Sequence, residues 1–186
     1  MDINISLFYF INHSLENPIF NNIMPLITNI GGFVGMVIIL IAIIVYAHFK
    51  KKNTLKKIAT LALIACLVSD IFVVLLKNFI HEPRPFVNLD NVHLLIGESD
   101  PNSFPSGHTT TTFSIITIFV LNMKKLFKTH YKSINIALMI FALLIPFSRI
   151  YVGVHYPFDV LAGGIIGFCG AFLINKLNEV LNIKKI

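Results

Sequence analysis

From Asn17 to Ala47 the chain carries no Asp, Glu, Lys or Arg, and its purely apolar part, Gly31 to Ala47, can cross a bilayer when extended toward Met24. Ile58 to Leu76 is interrupted only by Asp70, and three more charge-free runs follow at Thr109 to Met123, Ser133 to Phe147 and Val160 to Ile174. The last three are short for a full crossing, so their helices are expected to extend into the flanking motif and lysine segments. Only 13% of residues are charged and the mean hydropathy is +0.78, whereas a soluble domain is about 25% charged. The expected fold is therefore an all-α integral membrane protein of about five transmembrane helices, forming one domain over residues 1–186. Its first thirteen residues, MDINISLFYFINH, have no basic n-region and no small-residue cleavage site, and are expected to form an N-terminal interfacial helix and not a signal peptide.

The basic residues orient these spans. Lys50, Lys51, Lys52, Lys56 and Lys57 follow the first span; Lys124, Lys125, Lys128 and Lys132 follow the third; Lys176, Lys184 and Lys185 end the chain. All twelve share one side when the N-terminus is outside and the C-terminus inside. The net charge of +6 thus reads as a topology signal and not as a nucleic-acid surface, for which a basic stripe with interleaved aromatics would be needed.

Three cations remain on the opposite side: Lys77 and Arg84 in KNFIHEPRP, and Arg149 in SRIYVGVHYPFD. A guanidinium matches phosphate oxygens as a planar fork and an ammonium is a compact point charge, so the three suit a phosphoryl group. Taken singly, they could equally be snorkelling interface residues. Between them lies FPSGH, Phe104 to His108. Ser106 reads as the N-cap of the helix that follows, where the backbone N–H groups of Gly107 and His108 and the helix dipole favour an anion, and Gly107 admits close approach. His108 adds a group able to give a proton to a leaving oxygen. His155 stands four residues before Asp159, with Pro157 fitting the first turn of the last span. A carboxylate there can hold one ring N–H and leave the other nitrogen to attack phosphorus. The same pair could close a loop or ligate a metal, although three nearby cations favour an anion.

Lys77, six residues, Arg84-Pro85; Pro105-Ser106-Gly107-His108; and Ser148-Arg149, five residues, His155, three residues, Asp159: together these pieces resemble the three-part signature of the type 2 phosphatidic acid phosphatase superfamily. The resemblance implies a lipid phosphatase that uses no metal or other cofactor. By matched position, His155 would form a phosphohistidine, Asp159 would orient it and His108 would protonate the leaving group. Lys77, Arg84, Ser106, Gly107 and Arg149 would bind the phosphate. Within the superfamily, the segment RPFVNLDNVHLLIGESDPNSFPSGH resembles the bacitracin-resistance type of undecaprenyl-diphosphatase, whose members often carry Asp where Gly107 stands. The expected substrate is a polyprenyl diphosphate, with phosphatidate or phosphatidylglycerophosphate next, handled at the outer face of the cell membrane. The resemblance does not reach the oligomeric state.

An anion transporter is the reading from another class, and Asp70, inside the second span and seven residues before Lys77, is its best feature. A hydrogen-bonded structural role for Asp70 is expected instead, since no inverted repeat of the spans is visible. Cys66 and Cys169 both lie in apolar spans and read as buried small side chains. The pairs Gly31-Gly32 and Gly163-Gly164 suggest close helix packing or a groove for a lipid tail.

Overall fold

Helix boundaries follow the charge pattern, with one break. The computed structural model describes residues 2–183 and places in them α1 (Ile3–Tyr9), a π-helical turn at Phe10–Ser14, α2 (Pro18–Ile30), α3 (Phe33–Phe49), α4 (Asn53–Ile80), α5 (Pro85–Asn88), α6 (Gly107–Leu126), α7 (Tyr131–Tyr151) and α8 (Pro157–Ile183). Lys184 and Lys185 of the topology count lie outside the described residues. The helices α4, α6, α7 and α8 all extend beyond their charge-free cores into motif and lysine segments, as a bilayer crossing requires.

The break falls in the expected first span. The chain bends by 56° between α2 and α3, so this span is not one continuous helix. Gly31 and Gly32 make the bend and let it press against its neighbours. A Cβ at Gly31 would lie 2.8 Å from Ile145 of α7, and one at Gly32 would lie 3.3 Å from His108 Nε2. Any larger side chain would push the break away from the bundle.

Among the described residues, α4, α7 and α8 are long and apolar enough to cross a membrane, and the bent α2–α3 pair meets the same measure only when its two helices are taken together. The expected third span, α6, falls short of that hydropathy, for a reason visible in its packing. It is the central helix, in contact with α3, α4, α7 and α8, and Thr109, Thr110, Thr111 and Thr112 are all fully buried. A helix sheathed by protein needs partners for its hydroxyls more than it needs an apolar surface. Thr110 Oγ1 donates to Gly163 O at 3.0 Å, and Thr111 Oγ1 donates to both carboxylate oxygens of Asp70, at 3.1 and 2.9 Å. Asp70 also accepts from Cys66 Sγ at 3.3 Å, so it clasps α4 to α6 as a hydrogen-bonded structural residue.

Close approach of α8 to this centre depends on Gly163, Gly167 and Gly170, which share one stripe of the helix. A Cβ at Gly163 would sit 2.6 Å from Ser106 O; at the other two it would collide with Thr110 O and Ser69 Oγ. Small residues at such spacing let backbones meet where lipid supplies no hydrophobic drive. The remaining faces turn outward: Ile71, Leu143, Leu161 and Leu173 are all exposed on the bundle's surface. Cys169 is exposed there too, which corrects the expectation that both cysteines are buried; only Cys66 is.

At the motif end, α1 wedges Phe8 against Ile150, Tyr156 and Val160. It leaves Ile3, Leu7 and Phe10 exposed, as suits a helix lying at an interface. Asn12 then ties three segments together. Its Nδ2 donates to His93 O at 2.9 Å and Tyr151 O at 2.8 Å, and its Oδ1 accepts from His93 N at 2.9 Å.

Candidate active site

All three motif pieces converge at this end because each sits at a helix terminus. Lys77 is in the last turn of α4, Arg84 is the N-cap of α5, Ser106 is the N-cap of α6, Arg149 is in the last turn of α7 and Asp159 is in the first turn of α8. His155 lies in the tight connection between α7 and α8. Gly153, at φ +85°, turns that connection under the His93 backbone, where a Cβ would come within 2.9 Å of His93 O.

The side chains of Arg84, Arg149 and His155 are only 1–2% exposed, and Asp159 is buried with them. His155 Nδ1 lies 3.3 Å from Asp159 Oδ2, and His155 Nε2 lies 3.3 Å from Arg84 Nη1. A guanidinium can only donate, so Nε2 is the accepting nitrogen and Nδ1 carries the proton toward Asp159. Burial, together with the positive charges of Arg149, Arg84 and Lys77, pushes the His155 imidazole well below its ordinary 6.5. It is therefore neutral at pH 7, with the Nε2 lone pair turned toward Arg84 Nη1.

Asp159 is fixed in turn. Its Oδ2 accepts from Tyr156 N at 2.8 Å and from Ser103 Oγ at 2.5 Å. Ser103 is fully buried, also reaches His155 Nδ1 at 3.4 Å, and is anchored by its own N–H to Glu82 O at 2.7 Å. The sequence reading missed Ser103. Its only signal there is its place just ahead of FPSGH, and no spacing rule links it to Asp159, which lies 56 positions along the chain.

The cations form the other wall. Arg84 is aimed by backbone carbonyls, with Nε donating to Asp100 O at 2.5 Å and Nη1 to Val154 O at 2.8 Å. Arg149 Nη1 donates to Thr28 Oγ1 at 3.1 Å, while its Nε is buried with no hydrogen-bond partner among the described residues. Two loop carboxylates that the sequence reading passed over, Glu98 and Asp100, pair with all three cations.

The FPSGH segment is placed as expected but bonded differently. Ser106 is the N-cap, yet its side chain caps nothing; it accepts from Thr109 Oγ1 at 3.1 Å, and its N–H donates to Asp159 O at 3.1 Å. The space beside Gly107 is open, since a Cβ there would meet nothing nearer than Val73 at 3.9 Å. A groove of about 470 Å³ runs from the outer faces of α3 and α4, past Phe33, Leu67 and Val74, to Lys77, Asp100 and Gly107. Of the three cations, it reaches Lys77. His108 sits at the α2–α3 break, beside Gly32.

Residues 57–182 match the PAP2 superfamily. The chain is 34% identical to undecaprenyl-diphosphatase BcrC of Bacillus subtilis over 90% of its own length and 80% of that protein's. Its fold is similar to the crystal structure of Aquifex aeolicus LpxE, with a TM-score of 0.75 at 30% identity over 95% of this chain and 96% of that one. It is also similar to the PAP2 type phosphatidylglycerolphosphate phosphatase of Bacillus subtilis, with a TM-score of 0.81 at 25% identity over 96% and 88%. With the motif residues gathered at one end of a multi-pass membrane bundle, the chain belongs to the PAP2 superfamily and is a membrane lipid phosphatase.

Proposed function

We propose that the protein cleaves a polyprenyl diphosphate to the monophosphate and phosphate at the outer face of the cell membrane, through a phosphohistidine at His155. The observation that carries this reading is the orientation of His155, with Nδ1 on Asp159 Oδ2 and Nε2 turned toward the guanidinium of Arg84. In the first step the Nε2 lone pair attacks the terminal phosphorus, an N–P bond forms and the bond to the bridging oxygen breaks. His108 supplies a proton to that oxygen, and Asp159 stabilises the positive charge that develops on the ring. Water then attacks the phosphohistidine, His108 takes its proton and phosphate leaves. Lys77, Arg84 and Arg149 neutralise the charge on the transferring group throughout, with the Ser106 hydroxyl and the Gly107 N–H at the N-terminus of α6 completing the cradle.

Two further features support the reading. The groove ending at Lys77 and Gly107 would let a headgroup reach Lys77 while its chain stays in the bilayer. The lysine distribution puts this end of the bundle opposite the cytoplasm. The polyprenyl substrate rests on the similarity to undecaprenyl-diphosphatase BcrC. Phosphatidylglycerophosphate is the second reading, favoured by the 0.81 TM-score to the phosphatase of that name.

The test is phosphate release by detergent-purified protein with EDTA present, comparing undecaprenyl diphosphate, phosphatidate and phosphatidylglycerophosphate. Undecaprenyl diphosphate should be hydrolysed fastest, EDTA should not inhibit, and His155→Ala should abolish turnover and phosphoenzyme together. Turnover retained by His155→Ala would end the phosphohistidine reading.

A further inference from the structure

The buried cations do not face an empty cup. Glu98 Oε2 lies 2.5 Å from Arg149 Nη2 and 3.9 Å from Arg84 Nη2; Asp100 Oδ2 lies 2.6 Å from Lys77 Nζ and 3.7 Å from Arg84 Nη2. Each carboxylate bridges two cations, and Arg84 is shared between them. On the phosphate-binding reading above, on which this inference rests, Glu98 takes the Nη2 donor of Arg149 and Asp100 a donor of Lys77 that a phosphoryl group needs, and both carboxylates lie against Arg84 Nη2. Carboxylate and phosphate cannot both have them.

Burial indicates which partner yields. The arginine side chains are 1–2% exposed, whereas Glu98 is 20% and Asp100 42% exposed, on the loop between α5 and α6. The carboxylates can be turned out into water, where their charge is solvated. The guanidinium groups are enclosed and held by Val154 O and Thr28 Oγ1, and cannot follow.

We infer that Glu98 and Asp100 are resident counter-anions that the substrate's terminal phosphate must displace. A terminal phosphate carries two negative charges and three free oxygens, so it replaces the two carboxylates charge for charge and can span the three cations. The displacement lowers the affinity of the site for every anion by the work of turning the two carboxylates out.

The opposite role for the same contacts is support, with Glu98 and Asp100 holding the cations in place for phosphate. The two roles predict opposite signs. Using the full chain in detergent, inhibition of lipid phosphate hydrolysis by inorganic phosphate and by dimethyl phosphate would be measured for the wild type, Glu98→Gln, Asp100→Asn and the double variant. Displacement predicts that phosphate inhibits each single variant more tightly, by roughly two- to fivefold per carboxylate as for a partly exposed ion pair. It also predicts that dimethyl phosphate gains by about the same factor, since both ligands turn out the same carboxylates. Weaker inhibition by phosphate in the variants would overturn the inference while leaving the phosphate site standing. Asp100→Asn alters the more exposed of the two side chains, so it tests the sign even if Glu98→Gln fails to fold. A wild-type enzyme that turns over lipid but is indifferent to phosphate would instead remove the phosphate-site reading, and this inference with it.

Discussion

The two walls of the site are built on different principles. The wall of His155 and Asp159 is local: the residues are four positions apart, Pro157 starts the helix between them, and Tyr156 N locks the carboxylate. The cation wall is assembled from α4, α5 and α7, and the chain satisfies it only by lending it two carboxylates from a loop. A histidine–carboxylate pair requires one fixed geometry, and short-range chain constraints supply it. A charge cluster requires compensation, and here exchangeable partners provide it.

Substitutions in the first wall should show the largest effects. Asp159→Asn keeps an amide oxygen at the Oδ2 position, where Tyr156 N and Ser103 Oγ both donate, but removes the negative charge that offsets positive charge developing on the His155 ring. Hydrolysis should fall by roughly 10³- to 10⁴-fold, with far-UV circular dichroism unchanged and little phosphohistidine trapped. In the second wall, Arg149→Lys keeps the charge but loses the fork, and kcat/KM should fall by about 10²-fold. A loss as large as that of Asp159→Asn would mean that the cup is as exacting as the dyad. Ser103→Ala removes one bond to Asp159 and should lower kcat about tenfold at unchanged KM, with Ser103→Thr recovering part of it. A rise in KM alone would place Ser103 in the cup instead.

Stability against pH gives the smallest effect and separates the walls by window. Below pH 6.5 the unfolded chain protonates His155 while the folded chain keeps it neutral. Stability therefore falls as pH falls through that range, by about 1.4 kcal/mol per pH unit for one proton. His155→Gln should remove this part of the slope in unfolding experiments in detergent. Asp100 behaves differently. Burial pushes its carboxyl up, but its bonds to Lys77 and Asn102 N and the charge of Arg84 outweigh this and hold it below its ordinary 3.8. Its contribution is present above pH 3.8 and is lost only as pH falls below that value.

Much of this was legible in the chain. Charge-free runs locate helices, because a charge in lipid is expensive, and α4, α6, α7 and α8 lie where those runs predict. The His155–Asp159 pairing could be read from spacing alone, since four residues across a helix start bring two side chains to one face. The break between α2 and α3 was not, because Gly31-Gly32 is compatible with a straight packed helix until Ile145 and His108 arrive on its inner side.

By itself, then, the sequence determined a membrane bundle and the motif residues gathered at one of its ends, since each of these depends on local composition or short spacing. Tertiary structure decided that α6 is the buried centre, that Ser103 stands behind Asp159, and that Glu98 and Asp100 occupy the cations. Those outcomes depend on which distant segments meet, and no period or spacing along the chain encodes the meeting of a loop carboxylate with a guanidinium 51 residues away.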